Sequence, residues 1–347
     1  MNAKTRNDTV DIFRLVACFF IVFLHVQFVR PDQSIISIIY LETRWGVPFF
    51  LMLSGFYLQP ALEKSSFPAL KHTGKKLISI MLVANIVYIP VSLIKDGVFY
   101  KWNYLIYGNH FHLWFLTSLL LSTIVMFLLQ RFKVKSWISV LLMVIVFSAS
   151  LVMDSYSSFF GLHTQHYFTT WVHPVVTLPY VLIGSYFYKF NWLQKFMKPW
   201  IGLLFVFGGY ILQLMEAIVI NFYSGRGANK HDILAGMAFF AVGVFILAFT
   251  VSLRSSRLAR WGRDYSLYVY LFHPLVAFIF EHKGWNFVFQ GNLMLVYPVL
   301  IFAITMSSAM FLDKYINPFF LILTGSIDKV ISFYIPPRKA VIKDITS

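Results

Sequence analysis

Two ionisable side chains in the first apolar run set the chemical question. The stretch DIFRLVACFFIVFLH places Arg14 and His25 eleven residues apart. In a helix that is about three turns, so both leave one face, separated by about 16 Å along the axis. Ionisable groups in membrane helices are costly and mark functional candidates. An imidazole titrates near neutral pH and can take a proton from a hydroxyl or carry an acyl group transiently. The bland alternative is that Arg14 snorkels to lipid phosphate and His25 bonds a neighbouring helix.

Other groups follow along the chain. RWGVPFFLMLSGFYL carries Arg44 at one end, Pro48 in its first turn, and Gly46, Ser54 and Gly55, small residues that let helices approach. KHTGKK supplies Lys71, Lys75 and Lys76, either anchors of the next helix or, near Arg14, an anion site for a phosphate-rich ligand. HFHLWFL holds His110, His112 and Trp114. The tryptophan suits an interfacial belt, and histidines two apart diverge on a helix, so a zinc pair is not expected. DYSLYVYLFHPL puts Tyr270 and His273 on one face with Pro274 breaking the ladder beside them, the pattern of either a cavity wall or core packing. Glu216 is the sole carboxylate between Asp154 and Asp232, and Arg226 and Lys230 are its nearest cationic candidates. Ion pairing and substrate binding are both open for this group.

These residues must be positioned by membrane helices. Of 347 residues 59% are hydrophobic and 12% charged, against about 25% charged in soluble domains. Such a chain is neither disordered nor an ordinary soluble protein. Ten apolar segments are predicted as spans, at about 10–29, 45–60, 77–95, 112–130, 137–153, 171–188, 199–220, 233–253, 265–281 and 293–312. A tail, 313–347, is expected to be cytoplasmic, with Phe319–Ile335 as an interfacial helix. With alternating loops and a cytoplasmic N-terminus, 21 Lys and Arg fall inside and 7 outside. That bias predicts both termini on the cytoplasmic side and accounts for most of the +15 charge without nucleic acid. The single cysteine, Cys18, excludes an intramolecular disulfide and a cysteine metal site. The first segment interrupts its apolar run with Arg14 and His25 and lacks a small-residue cleavage site, so it is expected to be retained.

Taken in order, the Arg14–His25 segment, Arg44 with VPFFLMLSGFYL, HLWFL at 112–116 and SLYVYLFHPL at 266–275 resemble the membrane-bound acyltransferase-3 family. The resemblance covers nearly the whole chain and implies a single all-α domain of about ten helices over 1–347. It implies a multi-pass protein of the bacterial inner membrane that moves an acyl group, acetyl above all, from cytoplasmic acyl-CoA to a hydroxyl of a surface glycan or lipid-linked sugar. Acyl-CoA would be a substrate, with no resident cofactor or metal. His25 matches the family's essential histidine, Arg14 its paired arginine and Arg44 the basic residue before the second helix. His112, Trp114 and His273 match recurring positions. Lys71, Lys75 and Lys76 stand where the family often has two arginines, and lysine lacks the bidentate fork for phosphate. Donor phosphates are expected on Arg14 and these lysines. The acceptor is expected on Arg44, His112, Trp114, Glu216, Arg226, Lys230, Asp232, Tyr270 and His273. Glu216 with KHD at 230–232 is also similar to the membrane domain of the vancomycin-resistance serine racemases, which is associated with serine uptake. A transporter of serine, another small polar solute or a glycan intermediate is the alternative, though no inverted repeat is visible.

Overall fold

The computed structural model of the chain describes residues 7–26, 41–97, 104–161, 173–224, 233–254, 256–289, 293 and 295–326. Among them there are helices and turns and no strand. The long helices are α1 (Asp8–His25), α2 (Gly46–Lys64), α3 (Ser66–Asp96), α4 (Trp114–Arg131) and α5 (Ser136–Met153). They continue with α6 (Leu178–Lys189), α7 (Pro199–Ser224), α8 (Ala235–Thr250), α9 (Ser256–His282) and α10 (Val296–Tyr315), and a short α11 (Asn317–Leu323) closes the set.

These ten long helices fall where the apolar runs lie, with shifted ends. α3 starts eleven residues before the expected 77, because SFPALKHTGKK is amphiphilic enough to continue the helix out of the apolar zone. α9 likewise begins at Ser256, ahead of the expected 265. The expected sixth segment is shorter, with a turn at His173–Val176 before α6 and Pro179 in that helix's first turn. α11 ends at Leu323, and Gly325 follows in the left-handed region at φ 70°. α1 begins sharply because the Asn7 side chain accepts the Thr9 and Val10 amides at 3.0 and 3.2 Å.

Side-chain neighbours fix the relative directions. α1 and α9 run parallel: Gly262 lies against the Asp11 carbonyl, Cys18 Sγ donates to the Ser266 carbonyl at 3.2 Å, and His25 meets His273. A methyl group at Gly262 would collide with the α1 backbone, so glycine sets this approach. α2 and α6 also run parallel, Pro48 and Leu51 sharing one cavity with Thr177 and Tyr180 while Gln59 and Glu63 share another with Ser185 and Lys189, and between these they cross backbone to backbone, Gly55 on Val181 and Gly184 on Met52. α3 and α4 are antiparallel, with Asn109 bonded to Asn85 and Phe67 set against Phe127. α7 and α8 are antiparallel as well, Gly236 facing Gln213 and Gly243 facing Val206. α1 with α2 and α9 with α10 are antiparallel too, Phe13 and Phe20 meeting Phe49 and Trp45, and Phe280 and Tyr268 meeting Tyr297 and Ser308. Because Gly262 lies on Asp11 and Tyr265 bonds Asp313, the start of α1 and the end of α10 lie at the same end of the bundle.

Among the described residues, five helices are long and apolar enough to cross a membrane: α3, α4, α5, α7 and α10. The periphery is apolar too. On α7, Phe207, Ile218 and Phe222 are 63, 70 and 83% exposed, and α5 presents Trp137, Leu141 and Ile145 outward. An aqueous surface does not carry such continuous apolar faces, whereas lipid solvates them. The polar groups, by contrast, converge on the interior beside α1, α2, α4 and α9. The chain is a membrane protein.

Candidate functional site

The centre of the site is a pair of imidazoles set edge to edge in nearly one plane. His25, at the end of α1, and His273, in the middle of α9, have ring centroids 5.2 Å apart and planes within 9°. His25 Nδ1 and His273 Nε2 are 3.0 Å apart, and His273 Nδ1 lies 2.9 Å from the Val269 carbonyl oxygen. A carbonyl only accepts, so His273 Nδ1 carries a hydrogen and donates it. In neutral His273 the Nε2 is then an acceptor, and His25 Nδ1–H is its donor. That chain of bonds fixes the His25 tautomer and leaves a lone pair on its Nε2.

Pro274, lacking an N–H, leaves the carbonyl four residues back, that of Tyr270, without its ladder partner. The carbonyls on either side of it accept from side chains: His273 on Val269, and both His112 Nε2 (3.0 Å) and the Tyr88 hydroxyl (2.8 Å) on Leu271. His110 and His112 form a second imidazole pair, Nδ1 to Nδ1 at 3.1 Å. This corrects the expectation that these two histidines diverge. α4 begins at Trp114, so they lie in the turn before it, where helical spacing does not apply. Among the described residues no group of three or more His, Cys, Asp or Glu is arranged to hold a metal.

Two cavities lie back to back along α1. The upper one, toward the C-terminal end of α1, has a volume of about 330 Å³. It is lined by half-buried His25, Arg44, Pro48, Trp114, Tyr180 and Met237, among others. The lower one, toward the start of α1, has a volume of about 350 Å³ and is lined by Arg14, Ser54, His72, Lys76, Ser266 and Tyr270 with apolar neighbours. The upper cavity pairs an imidazole with a guanidinium, a setting for deprotonating a hydroxyl next to an anion-holding group. The lower cavity is basic at its end and apolar in its depth, which fits a ligand with a phosphorylated head and an extended arm.

The expected site residues distribute unevenly over this geometry. Arg14 and His25 share a helix but not a cavity, so Arg14 is not beside the imidazole. Its Nη1 bonds Asp11 at 3.3 Å, and Asp11 also lies 3.7 Å from Arg263. Of the three lysines, all exposed, Lys76 lines the lower cavity while Lys71 and Lys75 do not, because they occupy another part of the α3 circumference. Arg44 and Trp114 line the upper cavity. His112, 1% exposed, and His273, fully buried, line neither cavity and reach the site only through their hydrogen-bonded neighbours. Tyr270 lines the lower cavity, and its hydroxyl is tied to the His112 carbonyl at 2.8 Å. Glu216 accepts the Ala235 and Gly236 amides at 2.9 and 2.6 Å and a hydrogen bond from the Tyr156 hydroxyl, so it satisfies amides at the buried start of α8 that have no partner within the helix. Asp154 assists by accepting the Ile233 amide at 2.7 Å. Arg226, Lys230 and Asp232 lie outside the described residues. Sequence reasoning missed His72, although its position four residues before Lys76 puts both on one helix face. Tyr180 carried no local signal, since only the packing of α6 brings it to the upper cavity.

Comparison with known proteins adds an independent line. The serine/alanine racemase of Enterococcus gallinarum is 24% identical over 336 residues, covering 86% of this chain and 45% of that protein. The amino-acid racemase of Enterococcus faecalis is 29% identical over 144 residues, 37% of this chain and 20% of that protein. The chain thus spans less than half the length of these curated relatives. No solved structure matches. The acyltransferase-3 family, described as an acyltransferase domain, matches residues 7–313, and with nearly the entire helical bundle inside that match the chain belongs to this family.

Proposed function

We propose that the protein is a membrane O-acyltransferase that moves an acyl group, acetyl in this reading, from cytoplasmic acyl-CoA to a hydroxyl of an exported cell-surface glycan. In this reading the ten long helices all cross the bacterial inner membrane, with both termini in the cytoplasm. Lys and Arg concentrate at the end of the bundle where α1 begins, and the positive-inside rule assigns that end to the cytoplasm. The observation that carries the chemistry is the hydrogen-bonded His25–His273 pair, which leaves a lone pair on Nε2 of an imidazole that lines a cavity together with Arg44.

The steps follow from that tautomer. Arg14, His72 and Lys76 hold the donor's phosphates at the lower end, and the pantetheine arm runs along α1. The acceptor hydroxyl enters the upper cavity and gives its proton to His25 Nε2. Its oxygen attacks the thioester carbonyl, a C–O bond forms and the C–S bond breaks. The proton then passes to the departing CoA thiolate, so free thiol and ester are the products. As His25 becomes an imidazolium, its Nδ1–H bond to His273 strengthens, since hydrogen bonds to charged groups exceed neutral ones. A base role rather than acyl carriage suits this geometry, because Nδ1 is occupied and Nε2 meets the acceptor directly.

The test replaces His25 with Gln in membrane-inserted protein of unchanged thermal stability and follows ester formation from labelled acetyl-CoA. Loss of about 100-fold or more is expected for a general base. Transfer near the starting level would remove His25 from the centre of the reaction. Serine uptake into vesicles in the absence of acyl-CoA would favour transport instead.

A further inference from the structure

The two cavities meet at a single side chain. Among the described residues, Val47 alone lines both. It stands one helical turn after Arg44, which faces the upper cavity, and seven residues before Ser54, which faces the lower one. Its surroundings are firm. The preceding residue, Gly46, packs so closely on α1 that a methyl group there would stand 2.9 Å from the Ala17 carbonyl and 2.8 Å from the Ile21 side chain. Ile21 is 1% exposed. Across the lower cavity, Phe115 packs on Tyr270 at 5.2 Å, and the Tyr270 hydroxyl is bound at 2.8 Å. Val47 itself is half-buried, because both cavities reach its methyl groups. The partition between the basic cavity and the imidazole cavity is therefore fixed on its other sides and thin at this one residue.

We infer that Val47 is the constriction an acyl thioester passes on its way to His25, and that its bulk sets the length of acyl group transferred. This rests on the acyl-transfer reading and goes beyond it by naming the residue that decides donor specificity. A valine at the junction passes an acetyl group and resists longer chains. Removing its methyl groups widens the passage, and a ring in their place closes it.

Two measurements test this, the first independent of catalysis. Val47→Cys, in a Cys18→Ala background and in sealed vesicles, is treated with a membrane-impermeant methanethiosulfonate from each face in turn. Modification from both faces is expected, and protection from either face overturns the junction. The second compares acetyl-CoA with hexanoyl-CoA. Val47→Ala is expected to raise the hexanoyl-to-acetyl ratio of kcat/KM by at least about tenfold, the low end of what one or two methylenes decide in an apolar pocket. Val47→Trp is expected to lower acetyl transfer by at least about tenfold in protein of unchanged thermal stability, and undiminished transfer overturns the constriction. An unchanged ratio in Val47→Ala overturns the role in acyl length even where wild-type transfer is intact. Absence of transfer from any CoA thioester by the wild-type protein overturns the reaction itself, while the labelling still decides the geometry.

Discussion

Replacing His273 with Phe separates the imidazole pair from the rest of the site. The ring volume and the packing beneath His25 are largely kept, while the acceptor 3.0 Å from His25 Nδ1 and the donor to Val269 are lost. Neutral His25 is then free to place its hydrogen on Nε2, where it faces the upper cavity as a donor and not as a base. A hydrogen bond to a group that becomes charged is worth about 1.5–3 kcal/mol, and each 1.36 kcal/mol off the barrier is about tenfold in rate. The expected loss in kcat is therefore about 10- to 150-fold. Because His273 lines neither cavity, KM for acyl-CoA is expected to change by less than about threefold. His273→Gln keeps an acceptor oxygen and is expected to recover part of kcat. The assay is steady-state ester formation in membranes, with thermal stability measured in parallel. A Phe variant with wild-type kcat, or one that loses kcat and acyl-CoA affinity together, would refute the relay.

The lower cavity predicts a contrast within one helix. Lys76→Ala is expected to raise the Kd for acetyl-CoA by about tenfold or more, the loss of one charge-assisted contact, whereas Lys71→Ala leaves it within about twofold; equal effects would show that bulk positive charge and not the cavity holds the donor. At the other end, Glu216→Ala strips the start of α8 of both its carboxylate oxygens and is expected to cost about 1–3 kcal/mol of stability, read as a lower unfolding temperature in detergent, with Glu216→Gln intermediate. A stable Glu216→Ala protein that has lost only acceptor affinity would instead return this carboxylate to substrate binding.

The linear chain determines a great deal here, for reasons that are local. Apolar runs of sufficient length must become helices in lipid, since backbone polar groups have no other partner there. Their positions were therefore legible, with errors only at ends such as that of α3, where the helix continues beyond the apolar stretch. Arg14, His25, Arg44, Trp114 and His273 stood out because charge and polarity are expensive in such segments. What sequence could not decide was which of them meet. Arg14 and His25, on one face of one helix, open into different cavities, because α2 crosses α1 closely between them at Gly46. His25 and His273, 248 residues apart, form one hydrogen-bonded unit because Gly262 lets α9 lie against α1 in parallel. Glu216, conspicuous as a lone carboxylate, is spent on a helix start that folding brings to it. Residue type and solvation cost are properties of the chain and can be read along it; partnership depends on helix crossings, and those are set by contacts between segments far apart in sequence.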